Sequence, residues 1–222
     1  MPKRRSRKPK LSEEQLRRAI CDVHSYNVNL HTREIYLHGY HSDGVEDNGI
    51  EFKTASMFIK NLHLLESQGK TRIIIHMQVG GGDWIEGISM FDAVQAAQSP
   101  ITIIAYGQAS SMSGVFMQAA TRRLMMPNAH FMLHYGSFSI DATSVAASQA
   151  VKLNDEDNRK MVNLFAGRCM YGEYYLERGW DEIKVSKDLA RRLKDKHDWY
   201  LNAEEAVYYG FADGILGVDS RL

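Results

Sequence analysis

Four segments of this chain hold residue types that could carry out acyl-transfer chemistry. Ser110-Ser111-Met112-Ser113-Gly114 stands where a β-rich run gives way to a helical pattern. A hydroxyl at such a helix opening sits beside free backbone amides and the positive end of the helix dipole. Both favour the negative charge that develops when a nucleophile attacks a carbonyl. A serine there is also the usual helix cap, and three serines between 110 and 113 leave the nucleophile open. His134 closes the apolar run FMLH, at the strand end where α/β sheets build their sites. As one of nine histidines it could equally be a satisfied, partly buried ring. His130 would share its strand face if the strand reached that far. Asp198, close to Asp195 and His197, reads alone as a solvated charge. Gly80-Gly81-Gly82, between a strand and a helix, lets backbone amides approach an anion. It is neither a GxGxxG fingerprint nor a P-loop, since no Gly-Lys-Ser/Thr follows. Together these segments hint at a hydrolase.

The elements that must position them alternate. Leu11–Asp22 is expected to be a short helix, with Ser12 ahead of Glu13, Glu14 and Gln15 as its start. Glu34–Gly39 alternates as a strand. Ile50–Gln68 has Ala55, Phe58, Ile59, Leu62 and Leu65 at helical spacing. Arg72–Gln78 is a buried strand. Asp83–Gln98 is a helix with Ile85, Ile88, Phe91 and Val94 on one face, ended by Pro100. Ile101–Tyr106 is a strand, Ser111–Arg122 a helix and Phe131–His134 a short strand. Ala142–Cys169 is a long helix with no strand after it to cross back to, and is expected to project from the body. Helices over Asp181–Lys196 and Ala203–Tyr209 follow, the last ended by Gly210. Strands alternating with helices give an α/β fold with mostly parallel strands.

At 222 residues the chain is one domain's length, and its composition, 44% hydrophobic and 24% charged, suits a packed core. Lysine plus arginine equal aspartate plus glutamate, but the first ten residues carry six basic and no acidic side chains. Residues 1–10 are read as a solvated basic tail, and residues 11–222 as a single domain. The tail has no aromatic residue to stack on bases, which argues against a specific nucleic-acid partner. The absence of a long apolar run and of a leader-like stretch points away from the membrane and from secretion, toward the cytoplasm. Cys21 and Cys169 are too few for a disulfide framework or a zinc cluster.

The stretches GQASSMSG, MPNAHFMLH and DWYLNAEEAVYYGFADGIL, in that order, resemble the Clp protease (ClpP-like) family. That family reads roughly GQAASMGA around its nucleophile, LPNxxxMxHQP around its histidine and DxxxxAxEAxxYGLxDxI around its aspartate. The resemblance runs from about residue 33 to the end, more weakly through EIYLHG and GISMFD. It implies a ClpP/crotonase-like fold with stacked strands and Ala142–Cys169 as the projecting handle helix. It implies a serine endopeptidase with Ser111 as nucleophile, His134 as base, Asp198 as orienter, and the Gly82 and Met112 amides as oxyanion donors. Tyr135, Gly136, Ser137 and Phe138 would belong to a strand on which an extended peptide lies.

The same resemblance implies a homo-oligomer, heptameric rings stacked as a tetradecamer, fed unfolded polypeptide by an AAA+ unfoldase such as ClpX or ClpA. No metal or organic cofactor is implied, and ATP is used only by the unfoldase. The chain departs from the pattern at several points. Its glycine turn is VGGG rather than PGG, the larger Ser113 follows Met112 where the family has glycine, and Tyr135-Gly136 replaces Gln-Pro. The segment between handle and Asp198 is long enough to add a helix. Other readings are a catalytically silent ring subunit, a crotonase-type acyl-CoA enzyme, and a phage-type maturation protease working without an unfoldase.

Overall fold

The computed structural model describes residues 12–38, 49–137 and 139–222. Its elements run α1 (Glu13–Tyr26), β1 (Val28–Asn29), β2 (Glu34–His38), α2 (Phe52–Gln68), β3 (Ile73–Val79), α3 (Trp84–Ala96), β4 (Ile101–Ser110) and α4 (Met112–Met117). They continue β5 (Arg122–Met125), β6 (His130–Leu133), α5 (Ser144–Cys169), α6 (Glu173–Leu176), α7 (Glu182–Lys196), β7 (Trp199–Asn202), α8 (Ala203–Tyr208) and β8 (Gly214–Ile215). The basic tail, residues 1–10, and Phe138 lie outside the described residues.

The α/β expectation holds. One sheet runs β1-β2-β3-β4-β5-β8, parallel from β2 onward. Alternation along β3 and β4 sends Ile73, Ile75, Met77, Ile101, Ile103 and Ala105 into the main core, with α2, α3 and α4 packed over them. Ile74, Ile104 and Leu124 form a smaller cluster with Tyr106, Met126 and Leu216. β4 has two partners in succession. Thr102–Ala105 pair with β5, whereas Gln108–Ser110 pair with β6. Gly107, between them, has φ 64, a value that favours glycine even though a Cβ there would meet nothing. Beyond that bend β6 leaves the main sheet and takes β7 as an antiparallel partner.

Several expected boundaries need correction. β4 continues past Tyr106 to Ser110. The expected helix Ser111–Arg122 stops at Met117, because Arg122–Met125 is a strand whose Arg123 is buried and bonded to Asp213, Gln118 Oε1 and the Gly210 carbonyl. On α3, Ile85 is exposed and the buried face is Gly87, Met90, Phe91 and Val94. The long helix does have a strand after it: β7 returns antiparallel to β6. The buried residues of α5 begin only at Met161, so its first four turns stand clear of the core, as a projecting helix would. The longer segment before Asp198 adds the short helix α6.

Candidate active site

The strand trio β4–β6–β7 sets the positions of the three candidate residues. Ser110 pairs with Met132, and the Ser111 N–H donates to the Met132 carbonyl at 2.8 Å. Leu133 pairs with Trp199. One step beyond that pair, His134 and Asp198 emerge at the same end of the antiparallel ladder. The result is a chain of contacts. His134 Nε2 lies 2.8 Å from Ser111 Oγ, and His134 Nδ1 lies 3.7 Å from Asp198 Oδ1. With Nδ1 protonated toward the carboxylate, Nε2 can accept the serine proton.

Ser111 has φ 54 and ψ −127, a conformation that L-residues rarely hold and that costs ~1–3 kcal/mol. It aims the hydroxyl out of the turn toward the imidazole, with no cap bond to its own helix. The other serines are occupied. Ser113 Oγ accepts from the Ser110 N–H at 2.9 Å and donates to the Ser110 carbonyl at 2.8 Å, fully buried. The Ser110 hydroxyl donates to Gln108 Oε1. Among the aspartates, Asp195 accepts from Arg191 on its own helix and Asp198 faces His134. Geometry thus separates residues that spacing left equivalent.

The glycine run lies against the serine. A Cβ on Gly81 would stand 2.8 Å from Ser111 Cβ and 2.9 Å from the Ser110 oxygen, and its φ is 119. Gly82 bridges Ile50: the Ile50 N–H donates to the Gly81 carbonyl and the Asp83 N–H to the Ile50 carbonyl. Because peptide groups alternate in direction along extended chain, the Gly82 N–H points away from Ile50. It donates to no described residue, and neither does the Met112 N–H at the first position of α4. Two free amides therefore flank the serine hydroxyl, the arrangement that stabilises an oxyanion. The Met112 side chain lies on Gly87 of α3, where any Cβ would collide with it.

A cavity of about 460 Å³ opens beside Ser111 between α3, α4 and the clear half of α5. Gly136 and Ser137 line it, but the segment after His134 is not a strand in this structure, contrary to expectation. The Gly136 N–H is already donated to Asn158 Oδ1 at 2.8 Å. The Tyr135 hydroxyl donates to the Ala190 carbonyl of α7, and Tyr135 is not among the residues lining this cavity. The expected Phe138 contact lies outside the described residues.

Sequence reasoning missed the group that anchors β7. Asp188, buried on α7, accepts from Arg192 Nε at 2.6 Å, from Arg191 at 2.7 Å and from the Tyr175 hydroxyl at 3.2 Å. Burial alone would raise its pKa, but the two guanidiniums and the hydroxyl bring it below the usual carboxylate range. Arg192 so held lies 5.0 Å from the ring centres of Trp199 and Tyr209. Trp199 directly follows Asp198. The i,i+4 spacing of Asp188 and Arg192 is a legible helix pair, but nothing in it reveals the burial. Asp188→Ala would strand a desolvated guanidinium. It is expected to lower unfolding stability by ~3 kcal/mol, read as a drop in the denaturant midpoint.

Comparison with known proteins shows the family. The Clp protease family model matches residues 30–219. The chain is 30% identical to the ATP-dependent Clp protease proteolytic subunit 2 of Treponema denticola, over 84% of this chain and 82% of that protein. It is 27% identical to the ATP-dependent Clp protease proteolytic subunit of Carsonella ruddii, over 86% and 87% of the two chains. The subunit of the same name from Deinococcus radiodurans is 25% identical over 75% and 76%.

Proposed function

Because this chain belongs to the Clp protease family, we propose that it is a serine endopeptidase, the proteolytic subunit of an ATP-dependent Clp-type protease. Ser111 attacks the scissile carbonyl while His134 Nε2 takes its proton. Asp198 holds the imidazole tautomer and stabilises the imidazolium. The Gly82 and Met112 amides take the oxyanion, each worth ~3–4 kcal/mol of barrier by analogy with other oxyanion holes. The imidazolium then protonates the leaving amine, and water, deprotonated by the same ring, hydrolyses the acyl-enzyme. The observation that carries this reading is the 2.8 Å contact from His134 Nε2 to a serine whose backbone is strained and whose two flanking amides are free.

The proposal extends to assembly. The named relatives are proteolytic subunits of ATP-dependent proteases, and the first four turns of α5 carry the exposed apolar residues Val145, Val151 and Leu153. We therefore propose homo-oligomeric rings, stacked through α5 around a chamber, supplied with unfolded chains by an AAA+ ATPase. A cytoplasmic location belongs to the same proposal. Among the described residues no helix is long and apolar enough to cross a membrane.

Labelling with a fluorophosphonate probe tests the chemistry. Wild type and Ser113→Ala should label, and Ser111→Ala should not. Ser113→Ala should be destabilised by ~1–3 kcal/mol, since it leaves the buried Ser110 N–H unpaired. An assembled wild-type protein that does not label would overturn the peptidase reading in favour of a silent ring subunit.

A further inference from the structure

The cavity beside Ser111 is apolar in its walls and anionic in its charge. Met112, Val115, Leu133 and Met161 supply nearly buried apolar surface from α4, β6 and α5. The clear half of α5 turns Asn154, Asp157 and Asn158 toward the same space. Among the described residues two carboxylates, Asp83 and Asp157, line the cavity, and no lysine or arginine does. They differ in what they are committed to. Asp83 caps α3, its Oδ1 accepting from the Ile85 and Glu86 N–H groups. Asn158 Oδ1 is held by the Gly136 N–H. The Asp157 side chain makes no hydrogen bond or ion pair with any other described residue, although Lys160 follows it by three positions on the same helix. It is a half-buried anion in the wall of a cavity that opens at the nucleophile.

We propose that this cavity selects a long basic side chain, lysine or arginine, on the acyl side of the scissile bond. The aliphatic stem lies along Met112, Val115, Leu133 and Met161, and the cationic head meets Asp157, with the Asn154 amide beside it. Basic side chains suit such a site because the stem gains from apolar contact while the head keeps a charged partner. A glutamate or aspartate in the same place would face Asp157 with no compensating cation. The inference rests on the proposed role of Ser111 and deepens it by naming the substrate class.

The test uses the full-length assembled protein and a set of peptidyl-aminocoumarins that differ only in the residue before the fluorophore: lysine, arginine, leucine, phenylalanine or glutamate. Rates are expressed per serine labelled by fluorophosphonate, for wild type, Asp157→Asn and Asp157→Glu. For wild type, kcat/KM should be at least ~10-fold higher for lysine and arginine than for leucine, as expected for one charge-assisted contact. Asp157→Asn should remove that ratio by lowering the basic substrates at least ~10-fold more than leucine. Asp157→Glu should retain a basic preference. Because the rates are per labelled site, a variant that folds poorly still reports its ratio. A wild type that labels but prefers leucine or phenylalanine, or a basic preference unchanged in Asp157→Asn, overturns the inference and leaves the nucleophile intact. A wild type that does not label overturns both.

Discussion

Asp198→Asn is expected to lower kcat for peptide hydrolysis by ~10³–10⁴-fold, whereas Asp195→Asn changes it by less than about twofold. The two residues sit three apart at the junction of α7 and β7, both as exposed carboxylates. Only Asp198 faces His134. Its Oδ1 is 3.7 Å from Nδ1, longer than a hydrogen bond, and catalytic contacts of this kind tighten when substrate is bound. An asparagine there can present its N–H₂ to Nδ1 and so favour the wrong imidazole tautomer, with the proton on the nitrogen that should accept from Ser111. Asp195 is tied to Arg191, 60% exposed, a surface pair of little energetic consequence. Steady-state kinetics with one fluorogenic peptide decides the matter. An equal loss in both variants would mean that the acid is not assigned by this geometry.

Gly81→Ala is expected to lower kcat by ~10²–10³-fold with a smaller effect on KM. The added methyl would lie 2.8 Å from Ser111 Cβ and 2.9 Å from the Ser110 carbonyl, distances that require something to move. What moves is either the nucleophile turn or the strand carrying the Gly82 amide. Either shift opens the gap between the two oxyanion donors, an interaction made in the transition state and therefore visible in kcat. The φ of 119 adds backbone strain for alanine. Gly80→Ala is the matched control, since its methyl would meet only the Gln108 side-chain amide, which can swing away. A thermal melt separates loss of fold from loss of chemistry. Activity within about threefold of wild type in folded Gly81→Ala would remove Gly82 from the oxyanion role.

Elements with several turns of periodicity were legible in the sequence: α2, α3, α5 and α7 lie within a few residues of expectation. Those that were not are short and are stabilised by distant partners. β5 begins with Arg122-Arg123, which reads as polar helix. Arg123 is inside because Asp213, ninety positions on, satisfies it. β7 has only four residues, with Trp199 and Leu201 inward, wedged between two helices. At the site, the motif register grouped Ser111, His134 and Asp198, and the structure places them 2.8 Å and 3.7 Å apart in sequence of contact. Tyr135 was placed on the peptide strand by resemblance alone, and motif register says nothing about which way its side chain turns. Its hydroxyl is captured by the Ala190 carbonyl of α7. Asp157 carried no signal, since a carboxylate on an exposed-looking helix reads as solvated until a cavity is found in front of it.

The lateral origin of the acid's position has a consequence for how such a chain can vary. Asp198 stands opposite His134 because β7 is in register with β6, pair by pair from His130↔Asn202 to Leu133↔Trp199. Nothing about the number of residues between α5 and β7 enters that alignment. Lengthening the loops that flank α6 and α7 costs mainly loop-closure entropy, ~0.6 kcal/mol per doubling. Shifting the pairing by one residue would turn every side chain of β7 to the other face and bury the wrong one of each pair. Deletions and insertions in this stretch are therefore filtered by strand register rather than by length. Changes of length that keep the β6–β7 register keep Asp198 opposite His134, and changes of register separate them.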